Sequence, residues 1–211
     1  MINTVFGIIV GMFAVGIYQK KPSPTKMEAR LAGLPILAES AFPVLLLLIF
    51  VSNFVSIPRP LGLPHFVLSY VCLMVHEAGH FYMSWSGDFM HIFGGTLFEL
   101  GVPLTLAIWF YSKRHFRWSA LFIVWLSVGF FDVSIYSGDA VEMVLPLLGG
   151  TREAHDWNNM LRMLGWLDHT QLISDMFWSC GVVSGLLSIL LYGAQILKRW
   201  RVHSLKSQKL S

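Results

Sequence analysis

Residues 67–83 read VLSYVCLMVHEAGHFYM. The run is apolar enough to lie in a bilayer, yet it carries His76, Glu77 and His80 with Leu68, Tyr70, Val71, Leu73, Met74 and Val75 before them and Phe81 and Tyr82 after. Each ionisable side chain in a membrane helix costs roughly 2.5 to 3.5 kcal/mol on insertion scales, so three within five residues mark a functional site. On a helix, positions i and i+4 project from one face, so both imidazoles of His76-Glu77-Ala78-Gly79-His80 can meet one zinc ion. Glu77 then lies beside the metal, placed to take a proton from water.

The rest of the chain has the same character. Of 211 residues, 55% are hydrophobic and 13% charged, with mean hydropathy +0.62. That is the composition of an integral membrane protein and excludes a disordered chain, a disulfide scaffold and a coiled coil. The net charge of +3 comes from basic residues flanking apolar runs, with no basic stripe or aromatic platform, so no nucleic-acid partner is expected. Cys72 and Cys180 fall inside apolar runs without a CxxC partner, and packing is their expected role.

Six stretches approach the roughly 20 residues that a spanning helix needs: 2–18, 36–57, 65–85, 94–112, 119–137 and 172–197. They predict an all-α polytopic helix bundle, a single transmembrane domain over 1–211 in about six transmembrane helices. Residues 138–171 form an extramembrane or interfacial loop that carries part of the site. The first stretch has neither a basic leader nor a small-residue cleavage site, and is expected to be retained, whether or not it crosses.

Lysine and arginine in the short loops set the orientation. With the N-terminus inside, Arg59, Lys113, Arg114, Arg117, Lys198, Arg199, Arg201, Lys206 and Lys209 face the cytoplasm, against Lys20, Lys21, Lys26, Arg30, Arg152 and Arg162 outside. The first loop pulls the other way; the basic C-terminal tail is the firmest cytoplasmic marker. Threading six spans gathers Glu39, His76, Glu77, His80, Asp88, His91, Glu99, Asp132, Asp139, His155, Asp156 and Asp175 toward the opposite, extracytoplasmic face, as a polar cavity.

A catalytic zinc site needs three protein ligands and one open position. After Gly149-Gly150 the loop supplies Ala154-His155-Asp156-Trp157, so either His155 or Asp156 is expected as third ligand and the other as its supporting neighbour, with Asp139, Asp132 and Glu99 as further candidates. Asp156 could also cap a helix carrying Trp157, Met160, Leu161, Met163 and Leu164. Gly79 either lets helices approach or clears room beside the metal. The fourth segment, Gly94-Gly95-Thr96-Leu97-Phe98-Glu99-Leu100-Gly101-Val102-Pro103, is expected to break and offer backbone groups to a substrate.

The H-E-x-G-H motif in a hydrophobic helix, preceded by Met74-Val75 and followed by a glycine-rich turn, resembles the site-2 protease class of intramembrane zinc metalloproteases over about residues 70–105. That resemblance implies zinc on His76 and His80, water activation by Glu77, and cleavage of a peptide bond. The class takes its third ligand from an aspartate in an N-P-x-x-D-G-like segment, which this chain lacks. Over residues 70–185, HEAGH, GGTLFELGVPL, the Asp132 to Asp139 stretch and AHDWNNML look like a group of small bacterial membrane proteins of unassigned function.

The expectation is a membrane-embedded zinc hydrolase in the bacterial inner membrane, acting on a membrane-associated peptide or, second, a lipid-like amide or ester. The alternative is a non-catalytic metal-binding or transport protein using the same His, Glu and Asp cluster.

Overall fold

The computed structural model describes residues 36–208 except Arg59 and residues 148–150, and side chains between residues 41 and 201. The stretch 2–18, the basic segment 19–35, the Gly149-Gly150 turn and the side chains of Glu39, Lys206 and Lys209 lie outside the described residues. Among the described residues the chain is all-helical. Its α-helices are α1 (Ile36–Val51), α2 (Leu63–Met83), α3 (Asp88–Ser112), α4 (Phe116–Gly138), α5 (Asp156–Leu164) and α6 (Thr170–Gln208).

Three of them, α3, α4 and α6, are long and apolar enough to cross a membrane. The segment expected over 65–85 is the 21-residue α2, which opens with Pro64 in its first turn, where a missing N–H costs nothing. The segment expected over 36–57 stops being helical at Val51. There the Ser52 hydroxyl donates to the Leu48 carbonyl and the Asn53 amide to those of Ile49 and Phe50, closing the last turn before Pro58 and Pro60.

The bundle is organised around α4, which packs against α6 and α3 and touches α1 and α2. Small residues make the α4–α6 seam. Ser127 donates to the Gly181 carbonyl at 2.7 Å, Ser188 to that of Ala120 at 2.6 Å, and Ser134 and Ser174 donate to each other's carbonyls at 2.9 and 2.8 Å. Without water to compete, helix association relies on such close approach and interhelical hydrogen bonds.

Two apolar clusters fill the interior. One joins Phe42, Leu46, Ile49 and Phe50 of α1 to Val124, Val128 and Phe131 of α4 and Tyr192 and Ile196 of α6. The other joins Val133 and Ala140 to Trp157, Met160 and Leu161 of α5.

The outside is apolar too, with Met74, Leu104, Leu172, Met176, Val183 and Leu190 all exposed. A water-soluble monomer rarely leaves such a surface, which is compatible with a membrane protein. Exposed Tyr82, Trp85 and Trp166 ring one end of the bundle, and Trp109, Tyr111, Trp118 and Trp200 the other. About twenty helical residues of α3 separate the two rings, roughly 30 Å, the thickness of a bilayer core.

The glycine-rich segment does not break. α3 runs unbroken from Asp88 to Ser112 with Pro103 inside it, starting six residues before the expected position. Its glycines serve packing: a Cβ at Gly79 would run into the Gly94 carbonyl and lie 2.9 Å from the Phe98 Cβ, so α2 and α3 cross almost backbone to backbone. A Cβ at Gly95 would fall 2.5 Å from the His76 ring, so this glycine makes the space that the imidazole fills. The room beside Gly79 is therefore taken by α3.

Gly79→Val should accordingly cost at least about 1 to 3 kcal/mol as an overpacked contact. Gly101→Ala, where nothing lies within 4 Å of the added atom, should cost nothing. Thermal unfolding of both variants in one detergent checks the contrast.

Candidate metal centre

His76 and His80 sit one turn apart near the C-terminal end of α2, on its inward face. The His76 Nδ1–H donates to Glu99 Oε2 of α3 at 2.9 Å. The His80 Nδ1–H donates to the His91 carbonyl at 2.9 Å, and His91 returns the bond to the His80 carbonyl at the same distance. A proton on Nδ1 leaves the Nε2 lone pair free, and such outer partners are what fix the tautomer of metal-binding histidines.

Both Nε2 atoms point at one oxygen. Asp156 Oδ2, from the first residue of α5, lies 3.1 Å from His76 Nε2 and 3.2 Å from His80 Nε2. Zinc bonded to nitrogen and oxygen at 2.0 to 2.2 Å in a tetrahedron gives ligand-to-ligand edges of about 3.3 Å. Each nitrogen lies at about that separation from the shared oxygen, and the three ligand-type atoms lie within 4.8 Å of one another, the approach that a common cation would produce. The donor set, two imidazoles and one carboxylate, fits zinc with a fourth position left for water or substrate. Glu77 is exposed and lines the same cavity.

The cavity measures about 750 Å³. α2, α3 and α4 wall it, and Leu145, Pro146, Leu147, Ala154, Asp156 and Asn159 close one side. Of the residues gathered from sequence, His76, Glu77, His80, His91, Glu99, Asp132 and Asp156 face it, whereas Asp88 and Asp175 are exposed elsewhere. Glu99 supports His76 and does not join the three. Asp132 stands with Cys72 and Glu99 in a second, deeper group whose ligand-type atoms lie within 4.8 Å of one another.

His155 and Asp139 have a different task from the one expected of ligands. His155 is fully buried, its Nδ1 accepts the Asn158 N–H at 3.2 Å, and its Nε2 donates to Asp139 Oδ2 at 3.3 Å. Both ring nitrogens are used. His155, and not Asp156, is therefore the N-cap of α5, and Asp156 turns inward as the first helical residue. Asp139 also accepts the N–H groups of Val144 and Leu145 at 2.9 and 3.0 Å, which pins the chain leaving α4. Buried Trp157, Met160 and Leu161 clamp the short helix onto the bundle.

Tyr136 carries no motif signal of its own. Its hydroxyl donates to Asp156 Oδ2 at 3.2 Å and accepts the Asp156 N–H at 2.9 Å, so it holds that residue at both ends. The available hint was spacing: Asp132 and Tyr136 are one turn apart on α4, as are Ser69 and Leu73 on α2, and all four line the cavity.

Comparison with known protein families, curated proteins and solved structures finds no match to this chain. Its functional reading stands on the geometry.

Burial works against the Asp139 anion, and the two backbone donors with His155 overcome it, lowering its pKa. A lowered carboxylate stabilises the fold fully above the unfolded value near pH 4, and the contribution is lost as pH falls through the lower folded value. Asp139→Ala should cost about 1 to 3 kcal/mol at pH 7. The gap in melting temperature between parent and variant should close as the pH is taken from 6 to 3; a gap that stays constant would deny Asp139 this role.

Proposed function

We propose that this chain is a membrane-embedded zinc-dependent hydrolase that cleaves a peptide bond at or in the membrane. The carrying observation is the approach of the Nε2 atoms of His76 and His80 to Asp156 Oδ2 at 3.1 and 3.2 Å, beside a cavity that also presents Glu77. His76, His80 and Asp156 would hold the metal, Glu99 and His91 fix the two rings, and His155, Asp139 and Tyr136 position Asp156. Zinc bound there supplies Lewis acidity for a carbonyl oxygen and lowers the pKa of water. Glu77 takes the proton of the attacking water and passes it to the leaving amine. The cavity carries enough apolar wall, from Leu73, Ile92, Val133, Leu145 and Pro146, to strip water from a substrate segment.

The H-E-x-G-H analogy to site-2 proteases favours a peptide over a lipid amide. The site opens toward the extracytoplasmic face of a bacterial inner membrane, with the C-terminal end of α6 in the cytoplasm. Glu77 beside the three ligands, and not among them, favours hydrolysis over metal transport.

Elemental analysis of purified protein should find one zinc per chain, absent from His76→Ala/His80→Ala and from Asp156→Ala. His155→Ala should weaken zinc binding about 10- to 100-fold without abolishing it. Glu77→Gln should keep the metal and lose about 10²- to 10⁴-fold in turnover. Metal lost in Glu77→Gln would make Glu77 a ligand and favour transport.

Cysteines placed at 141–147 should react with an impermeant maleimide on intact cells, and cysteines at 203–211 only after permeabilisation. The reverse pattern would turn the site toward the cytoplasm.

A further inference from the structure

The cavity is lined by more than the three ligating residues and Glu77. On α2 it is lined by Ser69 and Leu73 as well as His76, Glu77 and His80. Ser69 lies seven residues before His76, two turns or about 10 Å along the helix axis. On α4 it is lined by Asp132, Val133 and Tyr136. Asp132 is hydrogen-bonded with Ser69 and Cys72, which ties it to the part of α2 that precedes the histidines.

The charge there is one-sided. No lysine or arginine is among the described residues that line the cavity, and the nearest carboxylate, Glu99, is already engaged by the His76 N–H. Among the described residues the hydrogen-bond partners of Asp132 are the Ser69 hydroxyl and the Cys72 thiol, and Glu99 beside it adds a second carboxyl group, so the pair has no basic side chain to match it. The same cavity wall carries the aliphatic side chains of Leu73 and Val133.

We propose that the part of the cavity lined by Ser69, Leu73, Asp132 and Val133 is the specificity pocket of the enzyme and takes a substrate lysine or arginine side chain. The inference rests on the hydrolase reading above. The apolar stem runs along Leu73 and Val133, and the charged end meets Asp132, with Ser69 as a second acceptor. A glutamate in the same place meets like charge from both Asp132 and Glu99, and an aliphatic side chain leaves Asp132 without its partner.

The test uses zinc-loaded protein in detergent and three peptides that differ only at one residue beside the scissile bond: lysine, norleucine and glutamate. The parent should prefer lysine over norleucine by at least about tenfold in kcat/KM, with glutamate lower still. Asp132→Asn should bring the lysine to norleucine ratio close to one. Should that variant fail to fold, Ser69→Ala reads the same ratio, which should fall part of the way.

A second readout needs no turnover: n-pentylguanidinium should raise the melting temperature of the parent and not of Asp132→Asn, whereas 1-pentanol should not separate them. Peptides cleaved without preference, or a preference that survives in Asp132→Asn, would overturn the pocket and leave the hydrolase standing. No cleavage together with guanidinium-specific stabilisation would keep the pocket and end the hydrolase reading. No cleavage and no stabilisation would end both. A second divalent ion per chain, lost in Asp132→Asn, would give the deep group to a metal and overturn the proposal.

Discussion

Everything distinctive in this bundle follows from one contact, Asp156 Oδ2 against the Nε2 atoms of His76 and His80. It joins residues 80 positions apart in sequence. The chain leaving α4 must turn back over the bundle and deliver the first residue of a nine-residue helix to the side of α2. A helix that short has little stability of its own. It is held by Trp157, Met160 and Leu161 against the bundle, by the His155 cap, and by the Asp139 carboxylate that grips the chain on the way. The apolar roof and the polar site are thus one construction: burying one face of α5 aims Asp156 at the two imidazoles.

The helices beneath solve a related problem. A bundle in lipid gains little from hiding apolar surface, so its precision comes from shape and hydrogen bonds. The Gly79–Gly94 crossing brings α2 against α3 closely enough for Glu99 to reach His76, and Gly95 vacates the volume that the ring occupies. The Ser134–Ser174 pair across α4 and α6 fixes the helix that presents Asp132 and Tyr136. Packing at membrane depth thereby sets the orientation of side chains at the site.

Much of this was legible in the sequence because the bilayer makes polar residues expensive. His76, Glu77 and His80 stood out on cost alone, and the helical period placed the two imidazoles on one face. The limits of α2 and α4 and the start of α6 followed from apolar length; the polar end of α6 continues to Gln208, past the expected 197, because a helix does not stop where its apolar stretch does. What could not be read was the division of labour between adjacent residues. His155 and Asp156 are both competent ligands by chemistry; only the turn into α5 decides that one caps and the other points inward. Gly94, Gly95 and Pro103 looked like a broken helix because composition does not reveal which neighbour fills a missing side chain. Tyr136 was invisible for the opposite reason: a tyrosine in an apolar run is ordinary, and its role appears only when Asp156 arrives from elsewhere in the chain.

Charge counting separates the roles of the four carboxylates around the cavity. In the proposed site a divalent cation is matched by Asp156, which touches it, and by Glu99, which touches its ligand His76. Those two anions and the ion sum to zero, the cheapest state for a group at membrane depth. Glu77 and Asp132 are then in excess. Glu77 is exposed at the mouth, where water can solvate an anion and where a base is wanted. Asp132 is hydrogen-bonded to the Ser69 hydroxyl and the Cys72 thiol and stands beside Glu99, with no basic side chain next to it among the described residues that line the cavity. The same imbalance that keeps Glu77 useful as a base therefore leaves Asp132 suited to something the chain itself does not carry, a positive charge brought in by the substrate.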